Sequence, residues 1–499
     1  MLKVCRYDSG GAKQRVLRKH GEEVVRPVKK MAIVLAAGRG KRMKSKLPKV
    51  LHPVCGRPMV EHVLQAVKEA GCERAVVVIG QGAQEVQAAL GDAAEYALQP
   101  EPLGTGHAVM QAEPLLAGED GVALVVCGDT PLITAHTIEA MFALHRESGA
   151  AATVLTALVD DPAGYGRVVR GAAGDVERIV EDKDCGPEER AIREINAGAY
   201  CFDTRRLFAA LKRLTADNAQ GEYYLTDVIG ILRGEGETVA ACRTPDPDEI
   251  EGVNDRAALA RAEKLMRRRI LAGHMAGGVT VVDPDHTYID ASVRIGEDTV
   301  IYPGTHLRGE TVIGRDCTIG PGCELTDTTV GDGTAMRHTV AEGAVIGSGC
   351  NVGPFAYLRP GTRIGDHVRV GDFVEIKNSV IGDHSKVPHL SYVGDATVGS
   401  RVNIGCGVIT ANYDGHNKFR TEIGDGAFIG SNSNLVAPVK IGRDAYVVAG
   451  STITHDVGDG DVAIARERQV NKPGYAEKLR ARALSRKNQA ISQSHINNR

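Results

Sequence analysis

Residues 35 to 51 combine glycine with an unusual density of positive charge. The stretch reads LAAGRGKRMKSKLPKVL and contains two glycines, six lysine or arginine residues and no carboxylate. Glycine lets backbone amides approach an oxyanion closely, and cationic side chains neutralise its charge. We therefore interpret the stretch as a phosphate-binding loop, with amides near Gly38 and Gly40 and cations at Arg42 and Lys49. Taken alone, the pattern fits a solvated, charged turn at least as well.

Two common phosphate motifs are excluded by the residues of this loop. A dinucleotide-binding fingerprint requires a third glycine where Met43 stands. A Walker A loop requires serine or threonine after Gly-Lys, where Arg42 stands. The loop is therefore neither an NAD-binding turn nor a P-loop.

A second group of polar residues lies far along the chain. The segments 377–392 (KNSVIGDHSKVPHLSY) and 411–420 (ANYDGHNKFR) carry lysine, histidine, tyrosine and asparagine. Histidine is the side chain whose ordinary pKa lies nearest neutrality, so it suits general base catalysis. His389 is the candidate, although a lone histidine is more often structural, and we interpret His367 and His384 in that way.

The first half of the chain has the pattern of an α/β domain. Between residue 31 and about 254, apolar runs such as MAIVLAAG, RAVVVIG, GVALVVCGD and AATVLTALV alternate with helix-like segments such as 58–70 and 137–148. This alternation predicts a parallel or mostly parallel sheet. The cationic loop then lies at the carboxyl end of the first strand, where open α/β sheets bind ligands. Residues 255–275 predict a long helix that joins the two halves.

After Gly277 the apolar residues recur at every sixth position. Three series show this period: Ile295, Ile301, Leu307, Ile313, Ile319 and Leu325; Ile346, Val352, Leu358, Ile364, Val370 and Ile376; Ile423, Ile429, Leu435, Ile441, Val447 and Ile453. Glycine usually follows the aliphatic residue, which is typical of a parallel β-helix of hexapeptide repeats. The segments 377–392 and 411–420 interrupt the period, and insertions in repeat proteins often form the binding face.

Composition excludes several classes of protein. A chain of 499 residues with 43% hydrophobic and 25% charged residues predicts two or three soluble domains. A net charge of -3 argues against a nucleic-acid-binding surface. Eleven cysteines without a CxxC pair are typical of reduced thiols and not of disulfides or zinc. No apolar stretch suits a membrane span or secretory signal, so we expect a cytoplasmic protein.

Short motifs recur in order from about residue 31 to 469. The first half carries LAAGRGKRMKSKLPKVLHPV, LGTGHA, CGDTPL, GYGRVV, VEDKD, EINAG, AQGEYYLTD and EGVND, and the second carries LRPGTRIG, VEIKNS, PHLSYVGDA, NIGCGVITANYDG and VAGSTI. This set resembles the bacterial family of bifunctional N-acetylglucosamine-1-phosphate uridyltransferases and glucosamine-1-phosphate acetyltransferases. The resemblance implies an α/β nucleotidyltransferase with a Rossmann-like, mostly parallel sheet, followed by a left-handed parallel β-helix of hexapeptide repeats.

The resemblance also implies a domain organisation. The expected parts are an N-terminal extension without a family counterpart and expected to be disordered (1–30), a uridyltransferase domain (31–254), a helical linker (255–277), a β-helical acetyltransferase domain (278–470) and a tail (471–499) expected to form a short helix and then disorder.

In the first domain the resemblance implies uridylyl transfer from UTP to N-acetylglucosamine 1-phosphate with release of pyrophosphate. Arg42 and Lys49 take catalytic positions, and Asp129 and Asn254 take those of the ligands to Mg²⁺, with Mn²⁺ as the alternative. Nucleotide and sugar binding is implied for Leu35, Ala36, Ala37, Gly38, Lys49, Gln99, Gly104, Thr105, Gly166, Glu181, Asn196, Thr226 and Asn254. Within this set Gln99, Gly104 and Thr105 contact the uracil, whereas Gly166, Glu181, Asn196 and Thr226 hold the sugar.

In the second domain the resemblance implies acetyl transfer from acetyl-CoA to glucosamine 1-phosphate. His389 takes the position of the base. Arg359, Lys377, Tyr392 and Asn403 take the substrate positions, and Cys406, Asn412, Tyr413, Ser431, Ala449 and Arg466 take those around acetyl-CoA. The interior of a β-helix is filled by side chains, so its site lies outside, and the family implies a homotrimer. The product, UDP-N-acetylglucosamine, is a precursor of peptidoglycan and lipopolysaccharide.

Two other classes of function stay open at this stage. A monofunctional sugar-nucleotide pyrophosphorylase can carry a β-helix for regulation or assembly, and a solenoid can serve as a noncatalytic scaffold. Three residues depart from the family pattern: Lys41 replaces serine or threonine, Cys127 replaces an aromatic or aliphatic residue, and Cys406 replaces alanine. Cys406 lies near the expected acetyl-CoA position.

Overall fold

A computed structural model of the chain describes residues 13–17, 23–38 and 40–496, with side chains described over 28–38 and 40–490. The contacts divide the chain into two compact units, Met1–Asp327 and Thr328–Arg499. The first unit therefore holds the α/β sheet and the first coils of the solenoid. Residues 1–12 and 18–22 of the predicted extension, and 497–499 of the tail, lie outside the described residues. The predicted domain boundaries stay predictions.

The α/β part of the first unit contains strands of the lengths that the apolar runs predict. They are β1 (Lys13–Leu17), β2 (Glu23–Pro27), β3 (Lys29–Ala36), β4 (Pro53–Val54), β5 (Arg57–Pro58), β6 (Arg74–Ile79), β7 (Glu95–Leu98), β8 (Gly121–Cys127), β9 (Ala152–Leu158), β10 (Arg167–Arg170), β11 (Val176–Val180), β12 (Glu194–Asp203) and β13 (Val239–Arg243). The described strands of the N-terminal extension, β1 and β2, pair antiparallel, as do β4 and β5.

Helices cover the sheet and connect its strands. They are α1 (Met59–Glu69), α2 (Ala83–Leu90), α3 (Thr105–Met110), α4 (Glu113–Leu116), α5 (Ala135–Ser148), α6 (Pro187–Arg190), α7 (Thr204–Leu211), α8 (Asp227–Gly234) and α9 (Arg256–Ala276). The helix predicted over 255–275 is α9, which Asp255 caps by accepting a hydrogen bond from the Ala258 amide. None of the described helices has the length and hydrophobicity that a membrane span requires.

The main sheet is mostly parallel. Its order is β11-β10-β12-β8-β3-β6-β7, with β9 pairing with β12 and β13. Strand β12 runs antiparallel to β8, β9 and β10, and β11 runs antiparallel to β10. The central strand β3 pairs in parallel with β6 and β8, and its residues 31–34 are buried on both faces of the sheet. The carboxyl ends of β3, β6, β7 and β8 therefore meet at one edge.

The solenoid part of the first unit consists of short parallel strands on three faces. One face contains Thr280–Val281, Val300–Ile301 and Thr318–Ile319, the next contains Tyr288–Ile289, His306–Arg308 and Glu324–Thr326, and the third contains Arg294–Ile295 and Val312–Ile313. Ile301, Leu307 and Ile313, which stand six residues apart, are buried at successive strands, so the hexad prediction is confirmed there.

The second unit continues this arrangement. Its first face contains Ala335–Met336, Asn351–Val352, Arg369–Asp372, Lys386–His389, Asn403–Ile404, Phe428–Ile429, Tyr446–Val447 and Val462–Ala463; its second contains Val340–Glu342, Tyr357–Leu358, Glu375–Lys377, Tyr392–Gly394, Ile409–Ala411, Asn434–Val436 and Thr452–Ile453; its third contains Thr329–Val330, Val345–Ile346, Arg363–Ile364, Val380–Ile381, Ala396–Val398, Thr421–Ile423 and Val439–Ile441. This is the arrangement of a left-handed β-helix of hexapeptide repeats. A last helix, α10 (Tyr475–Ile496), is longer than the short helix predicted for the tail.

The two interruptions of the period have different structures. Segment 377–392 is no insertion, because Arg363 pairs with Val380 one shortened coil of 17 residues later. Segment 411–420 is a true insertion, since Asn403 pairs with Phe428 after 25 residues instead of 18. The shortened coil places His389 at the end of a strand, and the insertion adds a loop on the same unit.

Candidate active sites

The cationic loop begins where β3 ends and is tightly folded. Gly40 has a φ of +56°, and a Cβ atom there would lie 2.6 Å from Cβ of Lys49. Only glycine fits both the conformation and the space. Around Gly38, by contrast, no described heavy atom lies within 4 Å of the position of a Cβ atom. The loop therefore leaves the backbone at Gly38 open, while Arg42 is exposed.

Lys49, Asp129 and Asn254 converge at the carboxyl edge of the sheet. The Lys49 ammonium donates to the carboxylate of Asp129, and its Nζ lies 3.3 Å from Oδ1 of Asn254. The Lys49 and Asp129 side chains are 14% and 17% exposed. The Val253 amide donates to the Asp129 carbonyl at 2.9 Å, which fixes the segment that carries Asn254 beside β8. Two side-chain oxygens, both accepting from the Lys49 ammonium, thus face one cation.

The donor atoms at this point fit a hard divalent cation. A carboxylate and an amide oxygen are ligands that Mg²⁺ accepts, and this ion keeps several waters or phosphate oxygens besides. Among the described residues, no group of three or more histidine, cysteine or acidic side chains could hold a metal ion by itself. The set therefore suits an ion that shares its coordination with a substrate, and not a structural zinc.

The residues predicted to contact uracil lie together. A cavity of about 480 Å³ is lined by Ala37, Gly80, Gln81, Leu98, Gln99, Pro100 and Pro102. The Gln99 amide donates through Nε2 to the Gly104 carbonyl at 3.1 Å. Gly104 has a φ of +111°, and a Cβ atom there would lie 2.6 Å from the Tyr223 carbonyl oxygen. The Thr105 hydroxyl accepts a hydrogen bond from the Leu225 amide at 3.1 Å, so it also holds the backbone.

The four residues predicted to hold the sugar form a second connected group. The Asn196 amide donates to the Gly166 carbonyl at 2.8 Å, and the Thr226 hydroxyl donates to Oε1 of Glu181 at 3.0 Å. Burial raises the pKa of Glu181, and the neighbouring acidic residues add to the shift, while the hydrogen bond from Thr226 opposes it. The Asn196 side chain donates to the Tyr200 hydroxyl at 2.6 Å. The geometry brings all four residues together.

On the second unit, His389 forms a dyad with Asp372. The two residues pair across adjacent parallel strands, and Nδ1 of His389 lies 2.5 Å from Oδ1 of Asp372. This hydrogen bond lowers the pKa of Asp372, which keeps its carboxylate ionised. A carboxylate at Nδ1 favours the tautomer in which Nε2 carries the lone pair. Nε2 is then the atom able to take a proton.

A cationic cluster lies on the second face of the same unit. Nζ of Lys377 lies 3.6 Å from the Asp395 carboxylate, and Arg359 donates to Glu375 at 2.8 Å. Lys418, on the inserted loop, shares a hydrogen bond with Lys377 that raises the pKa of Lys377 and, together with charge repulsion, lowers that of Lys418. A bound anion favours the charged form of both lysines, so the pair suits a multiply charged anion such as a phosphate.

Asn412 and Tyr392 link this cluster to the inserted loop. The buried Asn412 amide donates to Asp395 at 2.5 Å and lies 3.5 Å from the Tyr392 hydroxyl. Asn403 is half-buried on the first face, where it pairs with Lys386 and Phe428. These contacts place Asn412, Tyr392 and Lys377 in one network.

The remaining candidates line successive coils. Cys406 is half-buried and its carbonyl accepts the Asn432 amide at 2.7 Å, and the Ser431 carbonyl accepts the Gly450 amide at 2.8 Å. Tyr413 is 59% exposed on the inserted loop. Ala449 and Arg466 are exposed, and the Arg466 side chain lies beside Gly450. No direct contact among these side chains fixes a ligand, so their predicted role rests on the resemblance.

Family comparisons agree with both halves of the chain. A nucleotidyl transferase model matches residues 31–246, and a bacterial transferase hexapeptide model of six repeats matches residues 292–327, 343–378 and 420–455. A protein named bifunctional protein GlmU from Geobacillus sp. (strain WCH70) is 59% identical over 452 residues, covering 91% of this chain and 98% of its own. The protein of that name from Brevibacillus brevis is 57% identical over 448 residues, covering 90% of this chain and 97% of its own.

The chain belongs to the family of bifunctional GlmU proteins. The predictions of the fold class and of an enzyme that joins a nucleotidyltransferase to a hexapeptide acyltransferase are therefore confirmed. A monofunctional pyrophosphorylase and a noncatalytic scaffold are no longer favoured. A solved UDP-glucose pyrophosphorylase complexed with UDP-glucose matches with a TM-score of 0.40 and 18% identity, covering 48% of this chain and 99% of that one.

Three residues near the candidate sites were not predicted from the sequence. They are Asp372 beside His389, Asp395 beside Lys377 and Asn412, and Lys418 beside Lys377. Each of the two aspartates lies 17 residues before its partner histidine or asparagine. A coil length of 17 residues, read from the shortened repeats, would have revealed both pairs.

Of the departures from the family pattern, Cys127 lies beside the proposed metal ligand Asp129 and is half-buried. Its thiol lies 3.7 Å from the Gly198 carbonyl, and burial raises its pKa to about 12. A thiol with so high a pKa is inert at neutral pH. Burial, with the negative charge of Asp129, therefore keeps the Cys127 side chain in its thiol form at neutral pH.

Proposed function

We propose that this protein makes UDP-N-acetylglucosamine in two steps at separate sites. One site lies at the carboxyl edge of the sheet beside the cationic loop, and the other lies on the outer surface of the solenoid. The observation that carries the proposal is the pairing of two unlike groups on one chain: Lys49 between Asp129 and Asn254, and the dyad of His389 with Asp372. The first suits a polyphosphate, and the second suits an amine that must lose a proton.

In the uridylyl transfer step, the protein neutralises charge and aligns two anions. Lys49 and Arg42 bind the UTP phosphates, and the backbone at Gly38 donates amides to the same oxygens. Asp129 and Asn254 hold Mg²⁺, which when bound neutralises the phosphate charge. Leu35, Ala36 and Ala37 shape the floor of the site, where the Leu35 carbonyl accepts the Gly128 amide at 2.9 Å. The phosphate of N-acetylglucosamine 1-phosphate then displaces pyrophosphate.

Two separate groups of residues hold the uracil and the sugar. Gln99, Gly104 and Thr105 contact the uracil, and the cavity beside Gln99 accommodates the nucleoside. Gly166, Glu181, Asn196 and Thr226 hold the sugar, with the Glu181 carboxylate accepting hydrogen bonds from its hydroxyl groups. An ionised Glu181 is the form that accepts.

In the acetyl transfer step, Nε2 of His389 takes a proton from the amine of glucosamine 1-phosphate. The amine nitrogen bonds to the thioester carbonyl carbon, and the coenzyme A thiolate leaves and is protonated. Arg359, Lys377 and Lys418 bind the sugar phosphate, while Tyr392 and Asn403 contact the sugar. Asn412 orients the reacting groups, and Cys406, Tyr413, Ser431, Ala449 and Arg466 line the path of acetyl-CoA.

Assembly and location complete the proposal. The described solenoid interior is filled by buried Ile, Val and Leu, so acetyl-CoA has to lie on the outer surface. A second copy of the chain would enclose it there, and we infer a homotrimer. Because UTP and acetyl-CoA are cytoplasmic metabolites, the protein acts in the cytoplasm on these small molecules. Analytical ultracentrifugation tests the trimer, and a monomeric protein with full acetyl transfer would contradict it.

Glu181→Gln is expected to raise the KM for N-acetylglucosamine 1-phosphate about tenfold, since a hydrogen bond to a charged group is lost. Because the pKa of Glu181 is raised, the wild-type carboxylate is protonated at a higher pH than an ordinary glutamate. The wild-type KM should therefore rise as pH falls towards that raised pKa, and the KM of the glutamine variant should lack this acid limb. Measuring the KM for N-acetylglucosamine 1-phosphate from pH 5 to 9 tests this prediction. If the glutamine variant shows the same rise at low pH as the wild type, Glu181 does not bind the sugar as a carboxylate.

Lys418→Ala is expected to raise the KM for glucosamine 1-phosphate about tenfold, because one charge-assisted hydrogen bond to the phosphate is removed. The KM for acetyl-CoA should stay within twofold. Lys440→Ala is the matched control, since Lys440 is an exposed lysine of the same unit that pairs with Glu422 at 3.2 Å. Equal KM values for glucosamine 1-phosphate in the two variants would show that Lys418 does not bind the phosphate.

The function is tested with the full-length protein and two separate assays. Glucosamine 1-phosphate with acetyl-CoA should release free thiol, and N-acetylglucosamine 1-phosphate with UTP and Mg²⁺ should release pyrophosphate. Glucose 1-phosphate serves as the control acceptor in both. Pyrophosphate release without any thiol release would restore the alternative of a monofunctional pyrophosphorylase.

A further inference from the structure

Arg167 is a nearly buried cation beside the sugar-binding group. It is the first residue of β10, is 3% exposed, and pairs with Val180 of β11 and Ile195 of β12. A buried guanidinium costs free energy unless its donors are satisfied. The buried Nε of Arg167 has no hydrogen-bond partner among the described residues, whereas both amino groups have one, so these two contacts define what the guanidinium holds.

The guanidinium joins two segments that each carry one sugar-binding candidate. One amino group donates to the carbonyl of Tyr165, the residue before Gly166. The other pairs with Oδ1 of Asp182, the residue after Glu181, at 3.0 Å. Arg167 thus bridges the backbone beside Gly166 to the side chain beside Glu181.

The bridge by Arg167 holds Gly166 close to the Glu181 side chain. A Cβ atom at Gly166 would lie 3.1 Å from the Ile179 side chain and 3.6 Å from Oε2 of Glu181. The same segments are bonded to Asn196 and Thr226. A shift of either segment would therefore move the whole sugar-binding group.

We propose that Arg167, paired with Asp182, is a positioning residue for the acceptor sugar phosphate in uridylyl transfer. It acts through Gly166 and Glu181 and contacts neither substrate. The inference rests on the proposed function and adds a residue to which no role was assigned. A planar fork is required, because a lysine ammonium cannot reach both partners in the same geometry.

The test compares Arg167→Lys and Asp182→Asn with a matched control on the same strand. Arg170 lies three residues further along β10 and pairs with Glu194 at 2.6 Å. Both test variants are expected to raise the KM for N-acetylglucosamine 1-phosphate about tenfold, since small displacements weaken a positioned substrate strongly. The KM for UTP should stay within twofold. Arg170→Lys should leave both KM values unchanged.

Acetyl transfer by the same molecules reports whether each variant is folded. If the acceptor KM is unchanged in Arg167→Lys and Asp182→Asn, or if the KM for UTP rises equally, Arg167 is structural only and the inference is wrong. Asp182→Glu, which keeps the carboxylate, should restore the acceptor KM to within about threefold of wild type. If the wild-type protein releases no pyrophosphate from UTP and N-acetylglucosamine 1-phosphate, the proposed uridylyl transfer is wrong, whatever the role of Arg167.

Discussion

Asp129→Ala is expected to abolish UTP-dependent pyrophosphate release while glucosamine 1-phosphate is still acetylated. The carboxylate faces the Lys49 ammonium together with Asn254, so its loss removes one of two oxygen donors at the point where phosphate charge is neutralised. Groups that stabilise charge in a transition state contribute about 100-fold or more to the rate. Pyrophosphate release should fall by at least that factor, as measured by a coupled phosphatase assay.

The control for this prediction lies at the other end of the same strand. Asp120 precedes β8, is exposed and pairs with Arg205 on the surface. Asp120→Ala should retain wild-type rates in both assays. If Asp129→Ala releases pyrophosphate at the wild-type rate, or if this variant also loses acetyl transfer, Asp129 does not serve a separate nucleotide site.

His389→Ala is expected to lower acetyl transfer by about 100-fold to 10,000-fold, the range that a positioned general base supplies. Nδ1 of His389 is bonded to Asp372, so only Nε2 of the ring is placed to take the proton of the amine. Uridylyl transfer from UTP to N-acetylglucosamine 1-phosphate should continue at the wild-type rate. Thiol release at saturating acetyl-CoA measures acetyl transfer, and pyrophosphate release measures uridylyl transfer.

His384 supplies a matched control for His389. It is an exposed corner histidine on the same unit, and its ring stacks on His367 with centroids 4.9 Å apart. His384→Ala should keep both activities. Equal thiol release from His384→Ala and His389→Ala would mean that the base is another group.

The fold was largely predictable because its periods are local. The run MAIVLAAG predicts β3, and the six-residue series predicts the solenoid strands without knowledge of any long-range contact. The reversal of β12 and β11 was not predictable, because antiparallel and parallel strands share the same apolar alternation and differ only in their partners. The length of α10 was also missed, since its polar sequence resembles a disordered tail.

The candidate site was predictable only in part. Lys49 lies 80 residues from Asp129 and 205 from Asn254, and no spacing rule brings three such distant residues together. They were found through the ordered motifs and not through local pattern. Asp372 could not be predicted as a partner of the base, because aspartate is common at solenoid corners. Its contact with His389 depends on the length of the coil between them.

Two independent sites on one chain are expected to pass N-acetylglucosamine 1-phosphate from one to the other by diffusion. The most direct test mixes Asp129→Ala with His389→Ala in the presence of glucosamine 1-phosphate, acetyl-CoA, UTP and Mg²⁺. Neither variant alone should make UDP-N-acetylglucosamine, and the mixture should make it, because the first supplies N-acetylglucosamine 1-phosphate and the second consumes it. If the mixture makes none although each variant retains its single remaining activity, the two sites do not work independently.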